Sequence, residues 1–126
     1  MEDKQLYNLA VEAMEKAYAP YSNYKVGAAV LTKEGKVFTG CNVENSSYGA
    51  TICGERTAIT KAISEGYRDI VAVAISGSDG KFASPCGICR QVIFEFGDKI
   101  EVILGNSDGE IKKYTIEELL PEGFRL

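Results

Sequence analysis

Two short segments hold most of the side chains that could do chemistry: Cys53-Gly54-Glu55-Arg56 and Pro85-Cys86-Gly87-Ile88-Cys89. The chain has four cysteines, at 41, 53, 86 and 89, and no histidine. Without an imidazole, any catalysis must rest on carboxylate, thiolate, lysine, tyrosine or a metal ion. Cys53, Cys86 and Cys89 each stand at the start of a predicted helix, where backbone N–H groups and the helix dipole stabilise a thiolate. Two such helix starts can converge on one divalent cation. Three sulfurs around Zn²⁺ leave one tetrahedral position open, the arrangement of a catalytic rather than a closed structural site. Cys41 falls in a predicted strand with no partner at ligand spacing and reads as a buried thiol.

A Cys-x-x-Cys pair alone equally suits a thiol redox pair, or half of a structural zinc site that Cys41 would complete. The surroundings sharpen it. Glu55 stands two residues after Cys53, close enough to approach a metal without binding it. Cys-x-Glu followed by Pro-Cys-x-x-Cys matches the zinc-deaminase signature in a three-cysteine form. Taken by itself, Glu55 is also an ordinary first-turn glutamate favoured by the helix dipole. Three thiolates and one Zn²⁺ leave a net negative charge, which raises the pKa of a bound water relative to a neutral-ligand site. A cation hydrogen-bonded to the sulfurs withdraws that charge, and Arg56 is the nearest candidate.

The elements that must position these residues follow from hydrophobic periodicity. Leu6, Leu9, Ala10, Ala13, Met14 and Ala17 recur at helical spacing, so a helix is predicted over 4–18, stopped by Pro20. Strands are predicted over 24–32 and 36–44, flanking the Glu34-Gly35 turn. A polar segment leads to a helix over 54–65, with Ala58, Ile59, Ala62 and Ile63 on one face. Ile70 to Ile75 is a continuous apolar run, as in a strand buried on both faces. A helix over 86–96, strands over 100–104 and 111–115, and a capped helix from Thr115 complete the order α-β-β-α-β-α-β-β-α. Helices separating buried strands predict an α/β fold, a three-layer α/β/α sandwich around a mixed five-stranded sheet. The strands joined through helices are expected to be parallel, with right-handed crossovers.

Composition bounds the partners. A chain of 126 residues with 45% hydrophobic and 25% charged side chains fits one domain over 1–126. The net charge of -4 argues against a nucleic-acid polymer as partner. No apolar run approaches the roughly 20 residues needed to span a membrane. Charges stand where an export signal needs its apolar region, so the expected location is cytoplasmic.

Four ordered motifs then carry a resemblance: Ala19 to Ala29 (APYSNYKVGAA), Gly40 to Asn45 (GCNVEN), Cys53 to Ala58 (CGERTA) and Ser84 to Gln91 (SPCGICRQ). Together they resemble the small, zinc-dependent, tetrameric cytidine deaminases, from about residue 7 to residue 124. The resemblance implies that Cys53, Cys86 and Cys89 bind zinc, with a water in the fourth position, and that Glu55 shuttles protons. It implies that Asn42 and Glu44 hydrogen-bond the ribose 3'-hydroxyl; period-2 alternation puts both on one face of their predicted strand. The backbone at Gly54 would contact the pyrimidine, and Tyr24 would pack near the nucleoside. Phe124 looks like the aromatic that reaches a neighbouring subunit's site in a homotetramer. Two positions depart from the commonest pattern, Tyr24 for phenylalanine and Gly54 for alanine. The implied activity is hydrolytic deamination of cytidine and 2'-deoxycytidine in pyrimidine salvage. The alternatives are a deaminase of a cytosine-containing antibiotic nucleoside, of the blasticidin-S type, and a non-catalytic zinc-binding module.

Overall fold

The elements meet in one five-stranded sheet, whose central strands carry helices on both faces. The computed structural model describes residues 1–126, with α1 at Asp3–Met14, β1 at Val26–Thr32, β2 at Val37–Cys41 and α2 at Gly54–Ser64. Then come β3 at Ile70–Gly77, α3 at Gly87–Phe94, β4 at Glu101–Gly105, β5 at Ile111–Thr115 and α4 at Ile116–Leu119. The strand order is β2-β1-β3-β4-β5. β1 is antiparallel to both neighbours, pairing Ala28 with Gly40 of β2 and with Ile75 of β3. β3 runs parallel to β4 (Val73 opposite Val102), and β5 returns antiparallel. The mixed sheet and the three layers agree with the pattern read from the sequence.

Side-chain size divides the two faces. Toward α1 the sheet presents Ala29, Ala72, Ala74 and Ile103, which pack with Leu6, Tyr7 and Ala10 of that helix. Toward the other helices it presents Val30, Val73, Ile75, Val102 and Leu104, against Ala58, Ile59, Ala62, Ile93 and Ile116. The opposite parity of these two sets is the period-2 alternation of a strand buried on both sides.

Two glycines let the helices come down onto the sheet. A Cβ at Gly27 would lie 2.0 Å from the Ala10 carbonyl oxygen of α1. One at Gly40 would lie 2.5 Å from the Ala58 amide nitrogen of α2 and 2.8 Å from the Gly54 oxygen. Gly40 therefore sets the depth of the helix whose first turn carries Cys53 and Glu55.

Several predicted elements are shorter than their patterns, α3 among them, which runs Gly87–Phe94 rather than 86–96. α1 ends at Met14 rather than at 18, because i→i+3 bonds (Lys16 N–H to Ala13 O, 3.1 Å; Ala17 N–H to Met14 O, 3.2 Å) tighten and unwind its last turn. Tyr18 then leaves helical geometry to pair with Val43, its N–H donating to Asn42 O at 3.0 Å. β1 begins at Val26, after Asn23 has turned the chain with φ 57°. β2 ends at Cys41; beyond it the chain stays extended through isolated bridges, Tyr18 to Val43 and Val43 to Ile52.

Gly40→Ala should lower unfolding free energy by about 1–3 kcal/mol, the usual cost of overpacking. Gly49→Ala, where an added Cβ meets nothing within 4 Å, is the control. Urea unfolding of both variants checks this; equal midpoints would mean that α2 does not bear on Gly40.

Candidate active site

Cys53 is the N-cap of α2 and Cys86 the N-cap of α3, both with extended backbone. Neither sulfur caps its own helix, so both are free to face outward. Cys89, one turn into α3, is completely buried. The sulfurs of Cys53, Cys86 and Cys89 all lie within 4.8 Å of one another, and the Cys53 and Cys86 sulfurs are 3.8 Å apart. Zinc–sulfur bonds of about 2.3 Å at tetrahedral angles put two sulfurs about 3.8 Å apart. A disulfide needs about 2.05 Å, so this is a ligand set rather than a bond waiting to close. Cys41 is half-buried on β2 and does not belong to the group. Three thiols converge here, and the closed four-cysteine arrangement does not form.

The titration of the cluster has the same physical origin. Hydrogen bonding from Cys89, then from Cys86, and the charge of Arg56 lower the Cys53 thiol to about 5. Cys89 moves upward, because its proton serves Cys53 and because it is buried. One sulfur is thus ionised at neutral pH while a neighbour holds its proton. Binding a dication through all three sulfurs requires every remaining thiol proton to leave.

Glu55 faces this cluster from the first turn of α2. It is only 3% exposed, and its Oε1 is buried with no hydrogen-bond partner. Burial raises its carboxyl to about 7, and the Cys53 charge adds to the shift. A carboxyl titrating near neutrality, with an orphaned oxygen beside three ligating sulfurs, can both take and return a proton. Arg56, next along, donates from Nη2 to Thr51 O at 2.8 Å, and its Nε is also buried and unpaired. Its charge helps to lower the Cys53 thiol.

A cavity of about 260 Å³ opens beside the cluster, its wall including Tyr24, Asn42, Glu44, Cys53, Glu55 and Cys86. A larger recess of about 670 Å³ lies between α1, β2 and α2, but it gathers no ligating cluster. Asn42 and Glu44 lie beyond the end of β2 rather than in a strand, yet both still reach the same wall. Each is partly engaged by the preceding turn. Asn42 accepts from Val26 N–H at 2.9 Å and donates to Tyr24 O at 2.8 Å. Glu44 accepts from the Ser22 hydroxyl and from the amides of Tyr21 (2.9 Å) and Ser22 (3.1 Å), which hold its carboxyl below the usual range.

The Tyr24 hydroxyl lies over Gly77, 2.1 Å from where a Cβ would stand, so the glycine makes room for it. Burial raises this phenol, followed by the charges of Asp79 and Glu55. Gly54 is buried but does not line the cavity; its missing Cβ faces Val26 (3.2 Å) and Cys41 (3.5 Å). Phe124 also lies outside its own chain's cavity wall and is 68% exposed. Sequence reasoning missed Ser22, Thr51 and Ser84, the further polar residues of the wall. The only signals for them were the Pro-Tyr-Ser-Asn turn and the serine before Pro85.

Comparison with known proteins points the same way as the geometry. Residues 1–105 match the family profile of the "Cytidine and deoxycytidylate deaminase zinc-binding region". A cytidine deaminase of Halalkalibacterium halodurans is 49% identical over 125 residues, spanning 98% of this chain and 95% of the relative. The crystal structure of a cytidine deaminase from Burkholderia pseudomallei aligns with a TM-score of 0.94 at 49% identity, over 98% of this chain and 100% of that one. A blasticidin-S deaminase of Bacillus cereus is more distant, 34% identical over 128 residues, with 95% and 90% of the two chains covered.

Glu55 makes a pH-dependent demand on the metal-free fold. Its carboxyl rises from 4.5 to about 7, so the folded chain keeps a proton that the unfolded chain releases. Stability from this group is present at low pH and is lost as pH rises through about 7. Glu55→Gln should therefore stabilise the metal-free protein at pH 8, by up to about 3 kcal/mol, with the gain vanishing near pH 4. Urea unfolding across that range tests it; a gain independent of pH would contradict the burial argument.

Proposed function

The chain belongs to the zinc-binding cytidine and deoxycytidylate deaminase family, and from that premise we propose that it hydrolyses cytidine and 2'-deoxycytidine to the uracil nucleosides and ammonia. The observation that carries this reading is Glu55, buried with an unpaired oxygen beside three converging cysteine sulfurs. Cys53, Cys86 and Cys89 would hold a zinc ion, which would supply the Lewis acidity that makes water a nucleophile near neutral pH.

Glu55 moves the protons. Its carboxylate takes one from the attacking water and passes it to N3 of the ring, which makes C4 electrophilic. It then protonates the amine that leaves from C4. Buried, with one oxygen left unpaired, this carboxyl is free to accept a proton and to return it. Arg56 favours the thiolate of Cys53 and would temper the negative charge that three such ligands bring to the site.

The ribose is assigned to Asn42 and Glu44. The second Nδ2 proton of Asn42 and the ionised carboxylate of Glu44 are the donor and acceptor that a 3'-hydroxyl requires. Tyr24 supplies an aromatic wall. The higher identity to cytidine deaminases weighs against the antibiotic-nucleoside reading.

We assign the whole of 1–126 to one domain acting in the cytoplasm, in pyrimidine salvage. A trio of reduced thiols suits a reducing compartment, and no helix is long and apolar enough to cross a membrane. The active form is a homotetramer in which Phe124 reaches a neighbouring copy's cavity. Supporting this, Phe124 is largely exposed and stands outside its own chain's cavity wall, and Tyr48 is 79% exposed close to the cavity mouth.

Ammonia release should be rapid with cytidine and roughly 10⁴-fold slower with free cytosine, which offers no sugar to the residues built to hold one. In the same assay Glu55→Gln should cost about 10²- to 10⁴-fold or more while zinc is retained. Equal rates on cytosine and cytidine would contradict the nucleoside assignment, and a fully active glutamine variant would remove Glu55 from the chemistry. Light scattering should give a mass about four times 13.7 kDa. Phe124→Ala should weaken nucleoside binding at full zinc content. Full activity in a species of single-chain mass would overturn the assembly.

A further inference from the structure

We propose that Arg90 is the positioning residue that holds the Cys86 loop in ligating register, by clamping it to α4. The inference rests on the reading that Cys53, Cys86 and Cys89 hold zinc. Arg90 follows Cys89 on α3, and its guanidinium spans three acceptors from two separate segments. Nε donates to Pro85 O at 2.8 Å, Nη1 to Leu119 O at 2.8 Å, and Nη2 to the Ser84 hydroxyl at 3.3 Å.

The stretch before Cys86 has no other polar tie. From Phe82 to Pro85 no backbone group makes a backbone hydrogen bond. Pro85 has no N–H to give, so this peptide can be held only through its carbonyl. That carbonyl lies outside the α3 ladder, and Leu119 O lies at the end of α4; no backbone N–H reaches either. Arg90 satisfies both. Pro85 is fully buried, whereas Cys86, the next residue and the N-cap of α3, is exposed and tied to that helix through its carbonyl, which accepts from Arg90 N–H at 2.9 Å. On its other side the position of the Cys86 sulfur relative to Cys53 depends on how firmly the Pro85 peptide is held. Ser84, on the cavity wall, is oriented by the same guanidinium.

Arginine is the side chain this geometry needs. Its rigid fork sends donors in three directions within one plane, whereas a lysine ammonium presents a single point. Arg90→Lys should consequently behave like Arg90→Met rather than rescue it.

The test is the rate at which purified, zinc-loaded protein loses its metal to a chromophoric chelator, after zinc content has been measured. Residues that orient metal ligands typically change metal affinity 10- to 100-fold, so both Arg90 variants should release zinc roughly 10- to 100-fold faster than wild type. Their cobalt-substituted forms should show weakened sulfur-to-metal charge-transfer absorption. Leu6→Ala, which opens the core on the α1 face of the sheet, controls for general loss of stability and should release zinc at the wild-type rate. Release within about threefold of wild type in both Arg90 variants would overturn the clamp. Equally fast release from Leu6→Ala would overturn it too. A wild-type protein that carries no zinc would instead overturn the metal reading itself, which the initial zinc measurement separates from failure of the clamp.

Discussion

Everything at this site depends on two helix N-termini being brought together so that three cysteine sulfurs share one small volume. Like-charged thiolates this close repel, and the metal-free cluster relieves this by keeping the proton on Cys89 while Cys53 ionises. The positive ends of α2 and α3 favour that charge. A dication completes the arrangement, so metal binding and the final fold of this corner are coupled. The sheet contributes by fixing where the two helices start. α2 follows the edge strand β2 and settles at the depth that Gly40 allows, while α3 follows the central strand β3.

The cost of the design falls on buried polar groups. Glu55 is held nearly out of water with one oxygen unpaired, which disfavours its charged form and places its titration near neutrality. Arg56 beside it keeps its Nε unpaired as well. Both orphans lie where α2 meets the sulfur cluster, while the extensive apolar packing of Ala58, Ile59 and Ala62 lies further along the same helix. Strain at the site and stability along the helix belong to one element.

The sequence made the chemistry legible because metal ligands are few and their spacing is short-range. Cys53, Glu55, Cys86 and Cys89 sit within first turns, whose geometry local sequence dictates. The strand at Ile111–Thr115 and the glycine start of α2 were equally plain. What stayed hidden was contact between distant segments. Asn42 looked like a residue facing the substrate, yet much of its hydrogen bonding fixes Val26 and Tyr24 sixteen and eighteen residues away. The strand pattern read over 36–44 overran the ladder, because beyond Cys41 Val43 is held only by isolated bridges to Tyr18 and Ile52, residues distant in sequence whose approach no local periodicity encodes. Arg90 gave no signal, because its three acceptors include a carbonyl in α4 that no periodicity could place beside it.

The central claim is that exactly three of the four cysteines form one metal site with a coordination position left for water. Zinc K-edge X-ray absorption on the purified protein reads this directly. The account predicts one zinc per chain, with three sulfur neighbours at about 2.3 Å and one lighter oxygen scatterer at about 2.0 Å. Four sulfur neighbours would bring Cys41 into a closed structural site, and that result would contradict the account.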